Sequence, residues 1–113
     1  MLSIQQVTSD SYQKQILILP DGSTLTLVMR FAPLQYGWFF TSIVYRTFEL
    51  NNLRIVNSPN MLHQYRNQIP FGLACFSSEM REPSLQQDFS SGNSKLYILT
   101  AAEVQEFTEF LSG

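Results

Sequence analysis

The stretch from Gln13 to Phe31 constrains the fold of this chain more than any other. Gln13-Lys14-Gln15-Ile16-Leu17-Ile18-Leu19 ends in a run of β-branched and leucine residues, and Pro20-Asp21-Gly22-Ser23 follows. Proline fixes φ at about −65° and glycine admits positive φ, so Pro-Asp-Gly marks a tight turn. Beyond it, Leu25, Leu27, Met29 and Phe31 fall on one face, while Thr24, Thr26 and Arg30 fall on the other. That is the period of a strand, and the two runs read as a β-hairpin.

The remaining chain continues in the same style. Residues 1–10 are polar with scattered apolar side chains and read as a loose strand or N-terminal arm. Pro33 and Gly37 bracket a loop, after which Trp38-Phe39-Phe40-Thr41-Ser42-Ile43-Val44-Tyr45 has the aromatic and β-branched content of a buried strand. A turn is expected at Asn51-Asn52, then a short strand over Leu53-Arg54-Ile55-Val56 with Arg54 pointing away from its neighbours. Ser58-Pro59 opens a helical turn that would place Met61, Leu62 and Tyr65 on one side. Pro70-Phe71-Gly72 ends it, and Leu73-Ala74-Cys75-Phe76 reads as another strand. Residues 77–94 form a polar stretch of about 18 residues, longer than most connections inside compact domains. Lys95-Leu96-Tyr97-Ile98-Leu99 is the last strand. Thr100-Ala101-Ala102-Glu103 matches a capping box, and Val104, Phe107, Phe110 and Leu111 recur at helical spacing, so a C-terminal amphipathic helix is expected over Ala101–Leu111. The fold expected is mainly β, a single domain over 1–113 built as a small antiparallel β-barrel or β-sandwich of about six strands with a C-terminal α-helix.

Composition narrows the function. The 113 residues carry 7 Lys+Arg against 9 Asp+Glu, a net charge of −2, and only 14% are charged while 44% are hydrophobic. Typical soluble domains hold about 25% charged residues, so this surface must be made mostly of Ser, Thr, Gln and Asn, which suits a subunit packed among partners. Nothing resembles the basic footprint of a nucleic-acid binder. No apolar run approaches the roughly 20 residues of a membrane span, and no signal peptide is expected at the N-terminus, so the chain reads as made in the cytoplasm.

No catalytic, cofactor or metal constellation emerges. The single cysteine and single histidine allow only a Cys75–His63 pairing, and Cys75 between Ala74 and Phe76 reads as a small buried packing residue. One histidine and one cysteine also fall short of the four ligands of a structural zinc site. Glu79 and Glu82, and Glu103, Glu106 and Glu109, read as solvated surface without the paired environments that acid–base work requires. The glycines at 22 and 92 are isolated turn residues, and no phosphate-binding loop exists.

The aromatics are more informative. Alternation sends Trp38 and Phe40 to one face of their strand and Phe39 to the other, so either the strand is covered on both faces or one set lies at an interface. Tyr36, Trp38 and Phe39, together with Phe89 in the polar stretch, are the candidate interface residues. An alternative use of Tyr36–Phe40 is an aromatic pocket for a small ligand or peptide.

The order of these motifs carries a resemblance. Gly37-Trp38-Phe39 with Ile43, Leu53-Arg54-Ile55-Val56, Met61-Leu62 with Tyr65-Arg66, Pro70 with Gly72-Leu73, and Lys95-Leu96-Tyr97-Ile98-Leu99 together resemble the baseplate plug family of contractile-tailed phages, known from a cyanophage. The resemblance runs over residues 13–100. Pro70-Phe71-Gly72 departs from the family's Pro-Gly pair, Asn52 stands where a glycine is common, and the C-terminal helix lies outside the pattern. The resemblance implies a non-catalytic virion protein of the tail baseplate, made in the host cytoplasm. It would cap or plug the tail tube near the central hub and spike, with hub, spike, tube or wedge subunits as partners in a symmetric assembly. No cofactor is implied.

Overall fold

The hairpin forms as its alternation requires, and the larger sheet is laid down on it. The computed structural model describes residues 2–4, 7, 8, 10–19, 22–78 and 83–112. The elements in chain order are β1 (Leu2–Ser3), β2 (Tyr12–Ile18), β3 (Thr24–Ala32), β4 (Gly37–Tyr45), β5 (Phe48–Leu50), β6 (Leu53–Arg54), β7 (Gly72–Ser77), β8 (Ser94–Leu99) and the helix α1 (Ala101–Ser112). All pairings are antiparallel. One sheet has the order β2-β3-β4-β5, with β6 also on β4, and the other has the order β1-β8-β7. The fold is mainly β, as expected, with two sheets that do not close into a barrel. The N-terminal arm is drawn into the smaller sheet, Leu2 opposite Ile98 and Ser3 opposite Tyr97.

Each reversal of the larger sheet has a local cause. Pro20 and Asp21 lie outside the described residues, but Gly22 has φ 87° and donates its N–H to the Leu19 carbonyl at 2.8 Å. Leu25, Leu27 and Met29 are fully buried and Phe31 half-buried, while Thr24 and Arg30 face solvent. Between β3 and β4 the chain makes a short 3-10 turn over Pro33–Gln35, and Tyr36 closes it at φ 50°. The reversal after β4 falls at Arg46-Thr47, where Tyr45 pairs with Phe48 and Arg46 takes φ 53°. The first residue of a two-residue hairpin turn requires that sign of φ. Asn51-Asn52, the expected turn, does not reverse the chain. Asn52 does adopt φ 57°, but it only interrupts a strand that resumes in the same register, Ile43 opposite Leu50 before it and Phe39 opposite Arg54 after it.

A bulge sets which side chains of β4 point inward. Val28 pairs with Ser42 but Met29 pairs with Phe40, so Thr41 is an extra residue, and its hydroxyl donates to the Val28 carbonyl at 3.3 Å. One inserted residue reverses the alternation beyond it. Trp38 and Phe40 before the bulge therefore share the core face with Ile43 and Tyr45 after it.

Both sheets contribute to one core. β3 and β4 meet Leu73 and Cys75 of β7 and Leu96 and Ile98 of β8 there, with Ile55, Leu62, Ile69 and Phe71 filling in from the connection. The turn containing His63–Tyr65 packs Met61, Leu62 and Tyr65 on this core, as their spacing predicts. The opposite face of β7 and β8 is covered by α1 through Val104, which packs on Ala74 and Leu99. The capping box forms reciprocally: the Thr100 N–H donates to Glu103 Oε1 at 3.0 Å and the Glu103 N–H to Thr100 Oγ1 at 3.3 Å. The side chains of Phe107, Phe110 and Leu111 lie outside the described residues.

One buried polar group ties the connection to β7. Oδ1 of Asn60 accepts the N–H of Leu62 at 3.0 Å and that of Leu73 at 3.2 Å. A Cβ on Gly72 would lie 2.6 Å from that oxygen, which explains a glycine there without any unusual backbone angle. Gly72→Ala should therefore destabilise the domain by about 1–3 kcal/mol, the usual cost of forcing a group into a packed interior. Thr100→Ala should cost about 1 kcal/mol through the lost cap. Chemical denaturation midpoints of both variants check this, with the larger loss expected in Gly72→Ala.

Candidate interaction surface

The four aromatic residues expected at an interface part company in the structure. Trp38 is fully buried, with Phe31 and Phe89 against its ring at centroid distances of 5.5 Å each. Its indole N–H donates to the Leu85 carbonyl at 3.1 Å. Phe89 is itself buried, so this ring anchors the 83–93 segment to the protein's own core. The reason is the indole. A buried N–H needs an acceptor, and the polar stretch supplies one by folding back over β4.

That stretch is built for the task. Asp88, also buried, accepts the N–H groups of Ser84 and Leu85 on Oδ2, both at 2.8 Å, and its carbonyl accepts the Ser94 N–H at 2.9 Å. A carboxylate receiving two backbone amides fixes the turn that presents the Leu85 carbonyl to Trp38. Glu79 and Glu82 lie outside the described residues.

Tyr36 and Phe39 face outward. Phe39 is half-buried on the outer face of the larger sheet, with the Arg54 guanidinium 5.4 Å from its ring centroid. Arg54 also donates to the carbonyls of Gln35 at 3.4 Å and Tyr36 at 3.3 Å, so it fastens the β3–β4 turn to the sheet. Arg30, Leu34, Phe39, Thr41 and Asn52 border an open groove of about 530 Å³ beside this turn. Of the Tyr36–Phe40 aromatics, only Phe39 borders it, because Trp38 and Phe40 are in the core. An aromatic pocket of the kind expected from the sequence does not form there.

Large apolar residues are exposed on β7 (Phe76), in the 83–93 segment (Leu85) and, for the greater part, on β2 and the β3–β4 turn. Leu34 at 94% and Tyr36 crown the β3–β4 turn, and Tyr12, Ile16 and Ile18, the last at 75%, line the outer side of β2. β2 is an edge strand whose outer face carries Tyr12, Lys14, Ile16 and Ile18. Sequence reading missed these residues because β2 puts glutamines inward. Gln13 is buried, and its side-chain amide donates to the carbonyls of Thr8 and Asp10 while its oxygen accepts the Thr8 N–H, which secures the N-terminal arm. The signal available was parity. Ile16 and Ile18 share their phase with Lys14, and a lysine marks the solvent side.

Cys75 is fully buried in β7, its Sγ 3.9 Å from Oδ1 of Asn57, and packs as a small core residue. His63 lies in the turn preceding β7, its carbonyl accepting from Arg66 Nη1 at 3.0 Å. Among the described residues no three His, Cys, Asp or Glu side chains gather as metal ligands, and no helix is long and apolar enough to cross a membrane. No protein-family model and no curated protein matches this chain.

Removing the anchor should open the loop. Phe89→Ala is expected to cost about 3–5 kcal/mol and to make residues 83–93 the first site of limited proteolysis. Trp38→Phe should cost about 1–3 kcal/mol, because the Leu85 carbonyl loses its donor. Cleavage of the wild type at the same loop and at the same rate as Phe89→Ala would contradict the arrangement.

Proposed function

We propose that this chain is a structural subunit of a contractile phage tail baseplate, capping or plugging the tail tube near the hub and spike through its surface, without catalysis. The order of motifs across residues 13–100 first suggests the reading. The observation that carries it is the division of apolar residues between interior and edge. The core takes Trp38, Phe40 and Phe89, yet Tyr12, Ile16, Ile18, Leu34 and Tyr36 remain outside along one strand and the adjoining turn. Only 14% of the residues are charged, so few charges flank these side chains, and exposed apolar residues grouped on a strand and a turn mark contact with other subunits. Hub, spike, tube or wedge proteins are the partners this reading names, in a symmetric assembly and within the virion.

Electron cryomicroscopy of purified particles tests it. Density fitting this two-sheet domain is expected at the end of the tail tube, with β2 and the β3–β4 turn against a neighbour. Particles whose tail tip lacks the chain would refute the reading.

A further inference from the structure

We propose that β2 pairs with β2 of a second copy of this chain, antiparallel about a two-fold axis beside Gln15, joining two five-stranded sheets into one. The backbone dictates the geometry. Phe31 donates its N–H to the Ser11 carbonyl and Leu19 donates to the Ser23 carbonyl, each at 2.8 Å. In an antiparallel ladder the residues bonded to the neighbour alternate. Hence Gln13, Gln15 and Leu17 direct their peptide groups to β3, and Tyr12, Lys14, Ile16 and Ile18 direct theirs outward. Among the described residues no strand pairs with that outer side of β2. Such an edge is a template for one more strand.

The side chains select the occupant and the register. With Gln15 opposite Gln15 of the second copy, all four outward-directed residues of each strand find partners. Tyr12 meets Ile18, an apolar pair, and Lys14 meets Ile16, each twice, so no like charges face each other. Sliding the strands by one step of the pleat in one direction sets Lys14 against Lys14, which is unfavourable. Sliding them in the other direction leaves Tyr12 without a partner. Lys14 is the only charged residue of β2, and a net charge of −2 opposes association of two copies only weakly. Two paired seven-residue strands form a contact below the standard interface size, so the dimer should be weak, with Kd in the micromolar range.

The inference uses the surface on which the tail reading rests, but its test concerns association in solution. A chain absent from tail tips that still dimerises would overturn the first and support the second. Sedimentation velocity of the purified protein from about 1 to 200 μM should show the wild type passing from monomer to dimer. Ile16→Lys opposes a second ammonium to Lys14 of the other copy and should remain monomeric throughout, with unchanged circular dichroism because Ile16 is exposed. The double variant Lys14→Glu with Ile16→Lys replaces that repulsion by two opposite-charge pairs and should dimerise again. A monomeric wild type, a dimer that survives Ile16→Lys, or a double variant that stays monomeric would each overturn the proposal.

Discussion

The buried indole of Trp38 holds the two halves of this protein together. The side chain belongs to β4, at the centre of the larger sheet, and its N–H reaches a carbonyl in the connection between the two long strands of the smaller one. Burying so large a ring contributes several kcal/mol, but only if its one polar atom is satisfied. Leu85 supplies the acceptor, Asp88 fixes the turn that presents it, and Phe89 closes against the ring face. Without that set of contacts the 83–93 segment would have no reason to lie over β4, and the core would be open at that end.

This use of the aromatics decides what is left for the surface. With Trp38, Phe40 and Phe89 committed to the interior, Phe39 is the aromatic ring that β4 leaves on the outer face of the larger sheet, with the Arg54 guanidinium over it. Most of the exposed apolar side chains, Tyr12, Ile16, Ile18, Leu34 and Tyr36, lie on β2 at the edge of the sheet and on the adjoining turn, with Phe76 and Leu85 exposed apart from them. The bulge at Thr41 belongs to the same economy, because it brings Ile43 and Tyr45 into phase with Trp38 and so gives β4 one fully apolar face.

The hairpin, the strands at 72–77 and 94–99, and the capped helix were legible in the sequence because each rests on local periodicity or a local hydrogen bond. Thr100 and Glu103 satisfy each other within four residues, and Leu25, Leu27 and Met29 need only a shared phase. What could not be read depended on distant partners. Phe89 is a lone ring in a polar stretch, and nothing within that stretch reveals that Trp38 waits for it 51 positions earlier. The turn at Arg46-Thr47 was hidden because arginine at positive φ carries no signature, while Asn51-Asn52 carries a turn signature and yet only interrupts a strand. The edge at β2 was obscured for a related reason, since Gln13 points inward to hold the N-terminal arm and reverses the usual sense of polar and apolar positions.

The chain has a single tryptophan, so its indole proton gives one unambiguous resonance. Hydrogen exchange of that proton, followed by nuclear magnetic resonance, tests the lock between β4 and the loop most directly. Exchange as slow as that of the central β3 and β4 amides, requiring opening of the whole domain, is the predicted result. Exchange at the rate of a free indole in water, with β3 and β4 still protected, would contradict it.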